Sequence, residues 1–175
     1  MSTRTILLLF VLSSWSFCQA PIPTARAMGG EYPWTIAGTF MHVHTDGSFG
    51  RPVGLNGGAA SISRTLWPSI RLTGEVGDYR HDGISVASFL VGPQAAARFW
   101  RVQPFISIMP GVTHINATLS NNQFTVAAGG GLDVPWTTHI KVRALQCDYY
   151  RMFGGQYKGA DYLRLGVGLA YSFGE

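Results

Sequence analysis

From Leu163 to Phe173 the chain alternates without a break. Leu163, Leu165, Val167, Leu169, Tyr171 and Phe173 share one parity, and Arg164, Gly166, Gly168, Ala170 and Ser172 share the other. A period of two is that of a β-strand, whose successive side chains point to opposite faces. The polarity of the two faces constrains the fold further. A soluble barrel turns bulky apolar side chains inward and polar ones to water, yet here the face opposite the bulky one is small or charged. Tight curvature favours glycine on the concave side of a closed sheet, so the small face is the enclosed one and the bulky face points outward.

The same polarity recurs elsewhere. Ile70, Leu72 and Val76 oppose Arg71, Thr73 and Glu75, and Phe124, Val126, Ala128, Leu132 and Val134 oppose Thr125, Ala127 and Asp133. Trp34, Trp67, Trp100 and Trp136 are separated by 33, 33 and 36 residues, a fixed period that holds one hairpin of two strands. Eight strands follow: Trp34 to His44, Leu55 to Arg64, Trp67 to Tyr79, Ser85 to Ala97, Val102 to His114, Gln123 to Val134, His139 to Tyr150 and Tyr162 to Phe173. Ten residues rising about 3.3 Å each and tilted about 40° give a band of about 25 Å, the height of the apolar belt of a barrel that crosses a membrane. The expected fold is all-β, an eight-stranded antiparallel up-and-down transmembrane β-barrel.

Connection lengths alternate as such a barrel requires. Those at the tryptophan end, around Thr65-Leu66, Phe99 to Arg101 and Pro135 to Thr138, are short. Those at the other end, Thr45 to Gly54, Arg80 to Gly83, Ile115 to Asn122 and Arg151 to Asp161, are mostly longer and polar. An even strand count puts both termini on the tryptophan side, which is then periplasmic. Trp34, Trp67, Trp100 and Trp136 sit at headgroup level, where an amphipathic ring is favoured. The competing reading makes them four core anchors of a soluble β-protein.

Residues 1–20 have the layout of a cleaved secretory leader: Arg4, an apolar stretch from Ile6 to Phe17, and Cys18-Gln19-Ala20 as a small-x-small site. Residues 21–33 then form a short periplasmic segment and residues 34–175 the barrel. The large residues Trp15 and Phe17 before Cys18 argue against lipidation. Without the leader, Cys147 is the only thiol, so an internal disulfide and a cysteine-built metal cluster are both excluded. Of 13 basic residues the leader removes Arg4, leaving 12 against 9 acidic, or +3, too mild a charge to argue for nucleic acid. Only 13% of residues are charged and 46% are hydrophobic, which excludes charge-driven disorder. No apolar run after residue 20 reaches the roughly 18 residues of a membrane-crossing helix.

Several stretches carry a resemblance: Leu55-Asn56-Gly57-Gly58, Gly129-Gly130-Gly131-Leu132-Asp133-Val134-Pro135, Arg143-Ala144-Leu145-Gln146-Cys147-Asp148-Tyr149, and Leu165-Gly166-Val167-Gly168-Leu169-Ala170-Tyr171-Ser172-Phe173. In that order, over about Tyr32 to Phe173, the chain resembles the small eight-stranded bacterial outer-membrane β-barrel-domain proteins of the OmpA/OmpX type. The resemblance implies a place in the bacterial outer membrane, with its lipid as surroundings. It also implies the barrel assembly machinery as a partner in biogenesis, because Gly168, Tyr171 and Phe173 occupy the places of the family's assembly signal. In this chain Gly174 and Glu175 follow the final aromatic residue.

Arg71, Glu75, Gln103, Asp133, Gln146, Asp148 and Arg164 fall on inward faces. Eight strands enclose a space that side chains can fill, so these groups are expected to pair with one another and hold the barrel shut. The alternative is a narrow polar channel. In the seventh strand Lys141 and Arg143 share one parity while Gln146 and Asp148 share the other, so either a bulge flips the register or Arg143 snorkels toward headgroups. Pro93, Pro104 and Pro110 each remove a ladder donor and leave the registers of the fourth and fifth strands open.

His42 and His44 lack the third ligand a metal needs. His81, Asp82 and Ser85 have the residue types of a hydrolytic triad, but a triad is defined by geometry. Gly129-Gly130-Gly131 lacks the lysine and helix of a phosphate loop. The expectation is a structural or surface-interaction protein with no catalytic, metal or cofactor site, whose external partner the residues do not name. A lipid-modifying barrel enzyme and a secreted soluble ligand-binding barrel are its rivals.

Overall fold

The computed structural model describes residues 32–45, 54–116, 120–153 and 161–174. The expected leader, nearly all of the 21–33 segment and most of the three longer connections lie outside the described residues. Eight strands run in chain order: β1 (Trp34–Thr45), β2 (Gly54–Trp67), β3 (Ile70–His81), β4 (Ile84–Ala96), β5 (Gln103–Asn116), β6 (Ser120–Pro135), β7 (Ile140–Phe153) and β8 (Asp161–Phe173). Each pairs antiparallel with the next, and β8 returns to β1 from Trp34↔Phe173 to Thr45↔Tyr162, closing the cylinder. Closure removes the free edge that an open sheet would leave unsatisfied.

The faces divide as the alternation demands. On β8, Leu169 is 55% exposed on the outside while its neighbour Ala170 is 2% exposed on the inside. Ile70, Leu72 and Val76 point out and Arg71, Thr73 and Glu75 point in. Glycine is required inside where strands crowd large side chains: a Cβ at Gly129 would strike the Asp148 carboxylate, and one at Gly166 would strike the Met41 sulfur.

Several boundaries move. Trp67 ends β2 instead of opening β3, after a register shift between Thr65 and Trp67. The connection around Asp82 is no long loop. Asp82 and Gly83 have φ of 41° and 80°, the left-handed pair of a two-residue type I′ hairpin turn, to which Asp-Gly is suited. At the opposite end, Phe99 and Val102 exchange backbone hydrogen bonds of 2.8 and 2.9 Å around Trp100 and Arg101.

The conflict in β7 is resolved by a bulge. Leu132 pairs with Leu145 and Asp133 with Arg143, so Ala144 is the extra residue. Ala144 and Leu145 both face outward, and Lys141, Arg143, Gln146 and Asp148 all face inward. Arg143 therefore does not snorkel; it is buried. The prolines are accommodated differently. Pro93 and Pro110 face outward, and the β4–β5 ladder breaks between Leu90↔Gly111 and Gln94↔Ser107, the stretch that holds both. Pro104 stays opposite Leu132 on β6.

Candidate functional site: the closed lumen

All seven inward polar residues read from the sequence are buried in the cylinder: Arg71, Glu75, Gln103, Asp133, Gln146, Asp148 and Arg164. The centre is Arg164 on β8. Its Nη2 lies 2.6 Å from Glu75 Oε1 and 2.7 Å from Asp148 Oδ2, and its Nε donates to Asp148 Oδ2 at 3.1 Å. Its Nη1 donates to the Tyr79 hydroxyl, and its guanidinium lies 4.7 Å from the Tyr150 ring centroid. Glu75 and Tyr79 come from β3, so one arginine ties opposite walls of the barrel together.

A relay continues toward the end where the chain termini lie. Gln146 Nε2 donates to Asp148 Oδ2 at 2.8 Å, and its Oε1 accepts from Arg143 Nη1 at 3.0 Å. Arg143 grips Asp133 with both prongs, Nε to Oδ1 at 2.9 Å and Nη2 to Oδ2 at 3.3 Å, and its guanidinium stands 4.6 Å from the centre of the Phe105 ring. Lys141 Nζ donates to Gln103 Oε1 at 3.0 Å. Arg71 is buried and partnered as well. Bidentate, charge-assisted bonds of this kind are the strong ones, and a buried charge is tolerated only when so paired. Among the described inward residues, four cations (Arg71, Lys141, Arg143, Arg164) face three anions (Glu75, Asp133, Asp148).

The far half of the lumen has the opposite character, a correction to the expectation that small and charged groups fill it throughout. Met41, Val43, Leu55, Tyr79, Val86, Leu90, Ile115, Met152 and Tyr162 pack there as one apolar cluster. On its wall Ser88, Thr113 and Gln123 stand side by side across β4, β5 and β6. Among the described residues, Thr113 Oγ1 and both side-chain polar atoms of Gln123 are buried without a hydrogen-bond partner.

The members that the sequence reading left out are Lys141, Arg143, Tyr79 and Tyr150. Tyr79 was legible, because it shares parity with Arg71, Thr73 and Glu75. The bulge hid the remaining cations.

Trp34 is half-buried, while Trp67, Trp100 and Trp136 are exposed, and all four lie at the end where β1 begins and β8 finishes. Tyr171 and Phe173 stack with ring centroids 6.2 Å apart, and a Cβ at Gly168 would strike the Gly38 carbonyl. His42 Nδ1 donates to Asn56 Oδ1 at 2.8 Å on the outside of the barrel. His81 Nε2 lies 3.2 Å from Asp82 Oδ2, whereas Ser85 stands across the ladder from Arg80, not against the His81 ring.

A closed antiparallel sheet with an apolar exterior and a filled, ion-paired interior defines the class: a small transmembrane-type β-barrel. No protein-family model matches the chain, and no curated protein does. Solved structures do. Neisserial surface protein A superposes with a TM-score of 0.71 at 11% identity, covering 82% of this chain and 99% of that one. Ail, the attachment invasion locus protein of Yersinia pestis, gives 0.55 at 16% identity, over 83% and 100%. The N-terminal β-barrel domain of Pseudomonas aeruginosa OprF gives 0.53 at 18% identity, over 81% and 100%. At these identities the likeness is one of fold: this chain has the eight-stranded barrel architecture of outer-membrane proteins.

Proposed function

We propose that the protein is an integral outer-membrane barrel with a structural or surface-interaction role and no catalysis, its termini periplasmic and its longer connections facing outward. The observation that carries this reading is the filled lumen. The Arg164–Glu75–Asp148 cluster bridges opposite walls and the apolar cluster packs the far half, and the cavity between them, lined by Val43, Tyr79, Met152 and Arg164, is only about 20 Å3, the room of a single water. Eight strands leave room for side chains and little else. Recognition then falls to the connections, which a rigid scaffold presents. Gly168, Tyr171 and Phe173 serve as the signal to the assembly machinery, and residues 1–20 as the leader that brings the chain to it.

The membrane part is tested by labelling with a lipid-soluble photoreagent in vesicles. Leu165 and Leu169 should be marked and Arg164 spared. The closed lumen is tested in planar bilayers, where the chain should give no unitary conductance steps; steady steps would establish the narrow-channel reading instead. Hydrolysis of lipid A or phospholipid that disappears in Ser85→Ala would establish the enzymatic one.

A further inference from the structure

The outer wall is dented over three neighbouring strands. Across β1, β2 and β3 the outward positions Gly38, Ala60 and Gly74 form the floor of an apolar depression of about 740 Å3, walled by Ile36, Ile62, Val76 and Phe89. The glycines inside the barrel are explained by collision, as at Gly129 and Gly166. Those under the dent are not: a Cβ at Gly38 or at Gly74 would meet nothing within 4 Å. Packing within the described chain therefore does not require them, and their effect is to keep a groove open on a face that otherwise carries bulky side chains.

At the terminal end of the groove stands Arg64. It shares the outward face of β2 with Ile62, and it pairs across the ladder with Trp34, the residue that opens β1. Its guanidinium lies 5.3 Å from the Trp34 ring centroid, and among the described residues it makes no ion pair. An exposed cation beside an interfacial tryptophan sits at the depth of lipid headgroups. A guanidinium is shaped for the oxygens of a phosphate.

We propose that this groove holds one glycerophospholipid of the leaflet on the terminal side, an acyl chain lying over Gly38, Ala60 and Gly74 and the phosphate on Arg64. The proposal rests on the membrane reading above. A preformed groove takes up a chain without rearranging the wall, which favours one retained lipid over a merely annular one. Arg101 at the same end is a natural control: its guanidinium also lies over a tryptophan, 5.4 Å from the Trp100 ring, but Trp100 and Arg101 form a turn outside the groove.

The test uses the full mature chain refolded in detergent micelles, dimyristoyl phosphatidylglycerol as probe, and native mass spectrometry. One bound lipid per chain is expected, with the diacylglycerol of the same chains not retained. Arg64→Gln should weaken retention about fivefold, the effect of one basic residue at an anionic headgroup. Gly74→Leu, which fills the floor where nothing is in the way, should weaken it as well, and Arg101→Gln should leave it unchanged. Equal losses for Arg64→Gln and Arg101→Gln would reduce the effect to general interfacial attraction and overturn the site. So would no retained lipid, or a second copy of the chain in its place. Folding is read separately, from heat-modifiable gel migration. A chain that never gives the folded form in micelles defeats the membrane reading itself, whereas a folded chain whose lipid ignores Arg64 defeats this site alone.

Discussion

The two halves of the lumen solve one problem with opposite chemistry. From the terminal end to mid-barrel, charges from β3, β6, β7 and β8 fill the space and neutralise one another through Arg143 and Arg164, the latter abutting the apolar cluster at Val43. Beyond Arg164, toward the outer connections, Leu55, Ile115 and Met152 pack with Met41 and Leu90 as an apolar cluster. Both halves close the cylinder, but they should fail differently. A buried ion network punishes the loss of one partner and tolerates the loss of all, because the cost lies in the charge left behind. An apolar plug loses stability in proportion to the volume removed, and a second deletion does not recover the first.

The ionic half gives the largest expected effect. Arg164→Met leaves Glu75 and Asp148 buried without their cation and should cost about 3 to 5 kcal/mol, measured by urea unfolding from lipid vesicles. Adding Glu75→Gln and Asp148→Asn to the same chain should recover most of that loss. If the triple variant is as unstable as the single one, the network contributes through shape and hydrogen bonding, and the contrast between the halves disappears.

In the apolar half, Leu90→Ala should cost about 2 to 5 kcal/mol in the same assay. Leu90 is fully buried in the cluster and faces the lumen. The deletion should also leave bilayer conductance at background, since Arg164 still bridges β8 to Glu75, the residue across the ladder from Leu90. Conductance appearing in Leu90→Ala but not in Arg164→Met would make the apolar plug the true seal.

The same contrast separates what the residues disclosed from what they hid. The barrel was legible because β3, β6 and β8 alternate cleanly, and because a membrane exterior reverses the usual polarity: Leu165 and Leu169 outside, Arg164 inside. The ionic half was legible for the same reason, as charges on small-residue faces stand out. Arg143 and Lys141 stayed ambiguous because one inserted residue, Ala144, reverses every later parity, and a bulge leaves no composition signal of its own. The apolar half was not legible. Once bulky residues are assigned to lipid, an inward Met41, Leu55 or Ile115 is indistinguishable by type from an outward Leu or Ile, and only the register decides. Trp67 was misplaced for a related reason: periodicity marks where hairpins recur, not which strand the marker residue ends.

The smallest expected effect asks whether the apolar half is apolar in energy as well as in composition. Thr113 is 1% exposed, faces the cluster and carries a hydroxyl with no hydrogen-bond partner among the described residues, beside Gln123, whose side-chain amide is in the same condition. An unpaired buried hydroxyl is a desolvation cost with no return. Thr113→Val replaces it with a methyl group of nearly the same shape, so stability in the vesicle assay should stay level or rise, by at most about 1 kcal/mol. The same exchange in the lower half, Thr73→Val, removes a hydroxyl that accepts from or donates to Ser63 Oγ at 2.9 Å and should lower stability by about 1 kcal/mol, within the worth of a buried hydrogen bond. The two threonines are alike in type, in burial and in facing inward, so opposite signs would trace to their partners alone. Equal losses at both positions would mean that the upper row is hydrogen-bonded after all, and that the lumen is polar along its whole length.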